Sequence, residues 1–313
     1  MKYFIPKDQI IFASLFAFVY FLWNYFIIGL KPDHLLFILF ISGGSLIHRN
    51  IFKFYLGFSA FTIFWIIYDG MQVYPNYDVN PVSIQEIFDL EKHFFGFNYN
   101  GEKIILNEYF LDNQMPLLSF FLGLAYLMWM PAPWIFSIFL YITNRKLLLR
   151  YSFCFLFVNL LGFIGYYLYP AAPPWYFFEH GTELHTNISG SAGLLTNFDA
   201  IVGYPIFDSI YNRGSNVFAA MPSLHSAFTL VNLYYAFKSK NRYFIVAFSF
   251  LALGTWVGAV YSLHHYVIDV ILGIFTAILA LVLYEKIEFS KIFSPLINRI
   301  SKIIILPETE YFV

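Results

Sequence analysis

His265-Tyr266-Val267-Ile268-Asp269 opens a stretch, HYVIDVILGIFTAILALVLY over 265–284, that carries no charged side chain from Val270 to Tyr284. About 20 apolar residues in succession make enough helix to cross a bilayer, so the stretch is predicted to be a membrane span. Its head is different. On a helix, residues four apart share a face, which puts His265 and Asp269 one turn apart where the span ends. A carboxylate just inside a span is costly and marks a functional site by default. Here it is placed to accept the Nδ1 proton of His265, fix the tautomer and leave Nε2 free as a nucleophile toward phosphorus. The plainer alternative is an interfacial His–Asp pair that satisfies only itself.

A second polar cluster lies forty residues earlier, Met221-Pro222-Ser223-Leu224-His225-Ser226. Proline is favoured at a helix start, so His225 falls in the first turn of the next span, where free N–H groups and the helix dipole favour phosphate. His225 is therefore a candidate general acid toward a leaving alkoxide and a candidate base toward an incoming hydroxyl. Ser223 has two readings, a hydrogen bond to a phosphate oxygen or a helix cap. Two histidines and an aspartate at one membrane face are the minimum for breaking a phosphoester through a phospho-histidine.

The remainder of the chain fits a membrane protein. Of its 313 residues 59% are apolar and only 12% charged, with mean hydropathy +0.65; soluble domains carry about 25% charge. The aromatic share of 23% suits interfacial belts. A net charge of -1 gives no reason to expect nucleic acid, and the lone Cys154, in an apolar run, has no internal disulfide partner. Candidate spans are 10–30, 34–47, 54–71, 116–141, 151–169, 222–237, 243–262 and 265–284. The first is too long for a signal-peptide core and is read as a permanent span. The second is short and weakened by Gly43-Gly44, so the expectation is an all-α polytopic bundle of about six to eight spans. Pro131 and Pro133 are expected to kink the fourth. No repeat or linker interrupts 1–313, which reads as one membrane domain with catalytic core spans over 116–285.

Fourteen of the eighteen Lys and Arg residues fall in the segments that are inside if the N-terminus is inside, which predicts an N-in, C-in topology. The sixth span then runs inward from Pro222 and the seventh returns to Ser262, so His225 and His265 meet on the outer face. Pro170-Ala171-Ala172-Pro173-Pro174-Trp175-Tyr176 arrives at the same depth. Two outer segments, 72–115 and 171–221, are read as a cap. In the first, Ser83 with Glu86 suggests a capping box, Ile84, Ile87, Phe88, Phe94 and Phe95 follow helical spacing, and Gly96 is a stop; this predicts an interfacial helix. Phe289, Ile292, Phe293, Leu296 and Ile300 predict an amphipathic helix on the inner surface, with a break at Pro295.

Pro222-Ser223-Leu224-His225-Ser226 followed by His265-x-x-x-Asp269 resembles the type 2 phosphatidic acid phosphatase superfamily of membrane lipid phosphatases and phosphotransferases. Three details are most similar to its inositol phosphorylceramide synthase branch. They are Ala172-Pro173-Pro174-Trp175-Tyr176, Leu224 between Ser223 and His225, and the triplet His264-His265-Tyr266, which also resembles sphingomyelin synthases. Asp89-Leu90-Glu91-Lys92 and Leu106-Asn107-Glu108-Tyr109-Phe110 are similar to an outer segment of that branch. The likeness covers about residues 84–275. It implies His265 as nucleophile, Asp269 as its orienter, His225 as acid and base, a phosphatidylinositol-like donor, and ceramide or diacylglycerol as acceptor, with no cofactor, metal or obligatory protein partner.

The departures from the phosphatase pattern are specific. That pattern carries Arg six residues before the nucleophilic histidine, where this chain has Ala259, and no Lys or Arg lies in 151–212. A doubly charged monoester calls for several cations, whereas a diester carries one charge. The loss favours a transferase, with a phosphatase acting on a phosphatidylinositol phosphate, phosphatidate or isoprenyl pyrophosphate as the alternative. Arg213, the one basic residue in 171–221, is the candidate for the remaining cation; a surface arginine bound to headgroups or Asp208 is the alternative. His264 is either a headgroup contact or a polar interfacial residue, and Trp175 and Tyr176 either stack on an inositol-like ring or anchor the belt. Glu179, His180, Glu183 and His185 match no zinc spacing. A transporter would need polar residues or broken helices at the midplane, and the spans carry almost no ionisable groups away from the outer edge. Short loops favour a bacterial inner membrane with the site facing the periplasm; a Golgi lumenal site is open.

Overall fold

A computed structural model describes residues 5–71, 73–212, 216–288 and 294–305. The described chain is helical apart from one small hairpin. Each stretch predicted to span is helical. Four helices are long and apolar enough to cross a bilayer: Lys7–Ile28, Arg145–Leu168, Arg242–Tyr261 and Val267–Ile287. Two further candidates are bent pairs, Arg49–Gly57 with Ser59–Gly70 at 57° and Pro116–Leu127 with Pro131–Thr143 at 48°. The second bend falls at the predicted prolines. Pro32–Ile47 is a shorter apolar helix, and the predicted 222–237 span is the 16-residue helix Leu224–Ser239. The chain is an integral membrane protein.

The fold divides into two compact units. The first comprises 1–74, 137–156 and 285–313. In it the first helix ends in a π-helical turn, Asn24–Ile28, stopped by Gly29 at φ 92°. Gln9 donates to the Ser45 carbonyl at 2.7 Å and Ser42 to that of Ala13 at 3.0 Å, so polar side chains fasten the first helix to the Pro32–Ile47 hairpin arm. Cys154 is buried there as a packing residue. The amphipathic Ser294–Ile305 helix buries Ile297, Ile300 and Ile304 and packs on Arg49–Gly57. Phe289, Ile292 and Phe293, predicted to precede it, lie outside the described residues.

The second unit, 75–136 with 157–284, holds every catalytic residue expected from the sequence. Leu224–Ser239 packs on Arg242–Tyr261, which in turn packs on Pro116–Leu127. The expected convergence of outer segments is present at one end of these helices. Ala171 bridges both Ser83 and Ala219, Trp175 N–H donates to the Leu263 carbonyl at 2.9 Å, and Ser223 N–H to that of Asp269 at 3.0 Å.

The cap segment 84–112 is two helices joined by a hairpin. Gln85–Phe95 stops at Gly96 as expected. The Ser83–Glu86 capping box is only partial: Glu86 accepts from the Ser83 hydroxyl and Ile84 N–H at 3.4 and 3.3 Å, and no side chain caps the helix from Ile84. Phe97–Tyr99 then pairs antiparallel with Glu102–Ile104. Asn100 and Gly101 turn the corner with φ of 51° and 90°. Both central residues of such a mirror-image turn need positive φ, and Asn-Gly meets that need. Leu106–Asp112 follows, with Glu108 accepting from Ile105 N–H at 2.8 Å.

Candidate active site

The residues at 262–266 form a short loop between two long helices, and the loop carries the nucleophile candidate. Its backbone is turned by Leu263 at φ 65°, a left-handed conformation that a branched side chain rarely adopts. The N–H groups of His264 and His265 both bond the Ala259 carbonyl at 3.0 Å, which closes the end of Arg242–Tyr261. Val267–Glu288 begins directly after, so Asp269 is in its first turn. His265 is 4% exposed and Asp269 0%.

His265 Nδ1 lies 3.5 Å from Asp269 Oδ2. That is ion-pair reach but not an aligned hydrogen bond, and Nδ1 and Asp269 Oδ1 have no hydrogen-bond partner among the described residues. Oδ2 accepts from Tyr266 N–H at 3.0 Å, which fixes the carboxylate, so a small rotation of the imidazole closes the pair. Catalytic hydrogen bonds are often long before substrate binds. On the other side of the ring, His265 Nε2 meets His225 Nδ1 at 3.3 Å. The two motifs predicted to meet do so at this contact. His225 is the more open of the pair. Tyr126, fully buried, bonds its Nδ1 at 3.0 Å, and the Trp129 ring stands edge-on to its imidazole at 5.1 Å.

The other site candidates have distinct surroundings. Ser223 is the helix cap: its hydroxyl accepts from Ser226 N–H at 3.3 Å and lies 3.1 Å from Ser226 Oγ. His264 Nε2 lies 3.0 Å from the Ala192 carbonyl, with the ring against Tyr211 and Tyr126 at 4.4 and 5.6 Å. Burial lowers its pKa to about 3, which the Ala192 hydrogen bond only partly offsets; His264 is neutral at physiological pH. Trp175 and Tyr176 are buried in a cluster with Ile84, Ala172, Phe218 and Leu263. The Tyr176 hydroxyl donates to the Glu183 carbonyl at 2.6 Å and accepts from His185 N–H at 2.7 Å. Both rings pack beneath the catalytic loop, where sequence reading gave them a ligand or the belt. Arg213 lies outside the described residues. His180 and His185 stand 4.0 and 3.9 Å from Glu179 and Glu183, and among the described residues no three His, Cys, Asp or Glu side chains are grouped to hold a metal.

Residues 87–283 match the PAP2 superfamily, and the match contains both histidines and Asp269. The chain belongs to the PAP2 superfamily. It is 44% identical over 265 residues to the phosphoinositol dihydroceramide synthase of Bacteroides thetaiotaomicron, covering 82% of this chain and 85% of that one. It is 30% identical to the inositol phosphorylceramide synthase of Candida albicans, over half of this chain and 33% of the fungal one. The inositol phosphorylceramide synthase catalytic subunit of Schizosaccharomyces pombe is 29% identical over 51% of this chain and 38% of its own. No solved structure is significantly similar.

Within this PAP2 chain the absent arginine has a structural counterpart. Ala259 is fully buried in a cluster with Tyr126, Phe198, Phe207 and Val260, and its carbonyl holds the loop, so a long cationic side chain has no room there. Three residues given no role by sequence reading support the site, although Glu91 and Asn107 lie in the stretches similar to the synthase branch. Tyr126 is one. Glu91, fully buried on the Gln85–Phe95 helix, accepts from Val267 and Ile268 N–H at 3.0 and 3.1 Å. Burial raises its pKa to about 7, against the two hydrogen bonds that lower it and with Asp269 raising it further. Asn107, also fully buried, donates to the Val260 and His265 carbonyls at 2.9 and 3.2 Å.

Proposed function

We propose that this protein transfers a phosphoinositol headgroup from a phosphatidylinositol-like glycerophospholipid to the primary hydroxyl of ceramide or dihydroceramide. The observation that carries the reading is His265 with Asp269 behind it and His225 before it. It stands in a chain 44% identical over most of its length to a phosphoinositol dihydroceramide synthase.

His265 Nε2 attacks the donor phosphorus. The N–P bond forms as the bond to the diacylglycerol oxygen breaks, and that oxygen takes a proton from His225. The acceptor hydroxyl then gives its proton to His225 and attacks phosphorus, and the N–P bond breaks. Asp269 holds the His265 tautomer and balances the cationic ring in both steps. Because His225 Nδ1 faces His265 Nε2, a phosphoryl group seated on Nε2 brings its ester oxygen beside His225. Arg213 is proposed to neutralise the single phosphodiester charge. The Lys and Arg distribution supports a site on the periplasmic or lumenal face, with both lipids entering from that leaflet, in a bacterial inner membrane.

The test uses purified protein in detergent with phosphatidylinositol and a fluorescent short-chain ceramide, beside His265→Ala. Inositol phosphorylceramide and diacylglycerol in equal amounts, absent with His265→Ala, are expected. Product formation by His265→Ala would exclude the mechanism, and no ceramide product together with phosphate release from a panel of lipid monoesters would favour a phosphatase.

A further inference from the structure

The catalytic loop is held from outside by the hairpin-linked cap helices. Asn107 donates to carbonyls at both of its approaches, Val260 and His265 itself. Glu91 accepts the first N–H groups on its far side, Val267 and Ile268. The side chains are fully buried and come from helices joined by the Phe97–Tyr99 and Glu102–Ile104 hairpin, so the cap grips the loop at both flanks as one piece. Tyr266, between the two grips, buries its ring against Ile87, Phe88 and Ile105 of the same cap.

Between the two carbonyls that Asn107 holds lies the strained point, Leu263 at φ 65°. A sparsely populated backbone conformation persists only where the surroundings over-determine it. A carboxylate is also among the costliest groups to bury unless hydrogen-bonded, and Glu91 has both oxygens engaged by the one segment whose position sets His265 and Asp269.

On the transferase reading above, we propose that Glu91 and Asn107 are positioning residues that hold the His265 loop in its reactive geometry, the 84–112 cap acting as a clamp. Neither touches the reacting atoms. They act through the backbone on either side of the nucleophile, so their loss lowers turnover more than donor binding.

The test is a graded series in the full-length protein: Glu91→Gln, which keeps one acceptor, Glu91→Leu, which keeps none, Asn107→Ala, and Asn107→Asp, which turns an acceptor toward the His265 carbonyl. As a control, Gln9→Leu removes a buried side chain that donates to the Ser45 carbonyl at 2.7 Å in the first unit, which contains none of the loop's residues. Ceramide product from phosphatidylinositol and phosphate release from phosphatidate are measured in parallel, with thermal midpoints in detergent. We expect kcat about tenfold lower for Glu91→Gln and about 100-fold lower for Glu91→Leu and Asn107→Asp, with KM for phosphatidylinositol within about threefold. Gln9→Leu should lose stability and keep kcat within about twofold. Glu91→Leu and Asn107→Asp at wild-type kcat, or losses that Gln9→Leu reproduces at equal midpoint, would overturn the clamp. A wild type that releases phosphate from phosphatidate and makes no ceramide product would overturn the transferase reading instead, and the variants' phosphate release would still decide the clamp.

Discussion

Gly273→Ala changes no catalytic group and is expected to disable the site. Gly273 lies where Val267–Glu288 crosses the start of Leu224–Ser239. A Cβ built on it would lie 2.1 Å from the Ser223 carbonyl oxygen, 3.0 Å from its carbon and 3.2 Å from Ser226 Cβ. The obstacle is backbone, pinned by the Ser223 N–H bond to the Asp269 carbonyl at 3.0 Å, so no rotamer change relieves it. Opening the oxygen contact to 3.0 Å, the lower edge of real Cβ contacts, parts the helices by about 0.9 Å, the overpacking that core enlargement forces. His225 is two residues from Ser223, and Asp269 is one turn from Gly273. The displacement therefore enters the 3.3 Å His225–His265 contact directly. A misplacement of about 1 Å costs on the order of 100-fold in rate. Overpacking costs about 1–3 kcal/mol, offset by about 1 kcal/mol from the better helix propensity of alanine. Steady-state transfer assays should show kcat down about 100-fold with a thermal midpoint lowered by only a few degrees. A variant that keeps kcat within about threefold of wild type would refute the argument that this close approach sets the distance between the two histidines.

Two further outcomes follow from the side chains around the pair. Tyr126→Phe keeps the ring that packs on His264 and removes the hydroxyl on His225 Nδ1; one hydrogen bond of about 1–1.5 kcal/mol predicts a roughly tenfold lower kcat, and unchanged turnover would show that His225 is held by packing alone. His264, with its pKa lowered from 6.5 to about 3, should make folding pH-sensitive. Between those values the unfolded chain binds a proton the folded chain does not, so stability falls as pH drops, by up to about 1.4 kcal/mol per unit. His264→Gln removes that titration, so the wild type should lose more thermal midpoint than the variant between pH 7 and pH 5, and parallel losses would count against it.

How much of this was legible depended on whether a signal was local. The spans were visible because length and apolarity alone decide them, and the His265–Asp269 pair because four residues on a helix is one turn. The hairpin was equally local: Asn100-Gly101, beyond the expected stop at Gly96, is a strong turn signal, overlooked because the strands on either side are only three residues long. Glu91 was half legible. It stands three residues from Phe88 and four from Ile87, on the apolar stripe rather than the polar one, and a carboxylate there needs a buried partner. Its partners are 176 and 177 residues away, which no local pattern reveals. Tyr126 is one of 25 tyrosines in a stretch whose composition reads only as span. Trp175 and Tyr176 show the converse difficulty: an aromatic pair beside a site suits a stacking platform and a packed core equally, and only the Tyr176 hydroxyl bonds within its own loop separate the two.

The burial of the nucleophile bears on the choice between transfer and hydrolysis. A phospho-histidine waiting for a lipid hydroxyl must be kept from water, and closing a site is how competing hydrolysis is suppressed. His265, Asp269 and Ala259 are buried, the neighbours of His225 are the aromatic rings of Tyr126 and Trp129, and the clamp covers the loop from the cap side. The same burial disfavours a dianionic monoester, whose second charge would need a further cation in a low-dielectric site. A single phosphodiester charge facing two histidines is the lighter electrostatic demand. The small residue at 259, where the phosphatase pattern has arginine, is buried in an apolar cluster under the loop, and the lost cation and the burial together favour a lipid acceptor over water.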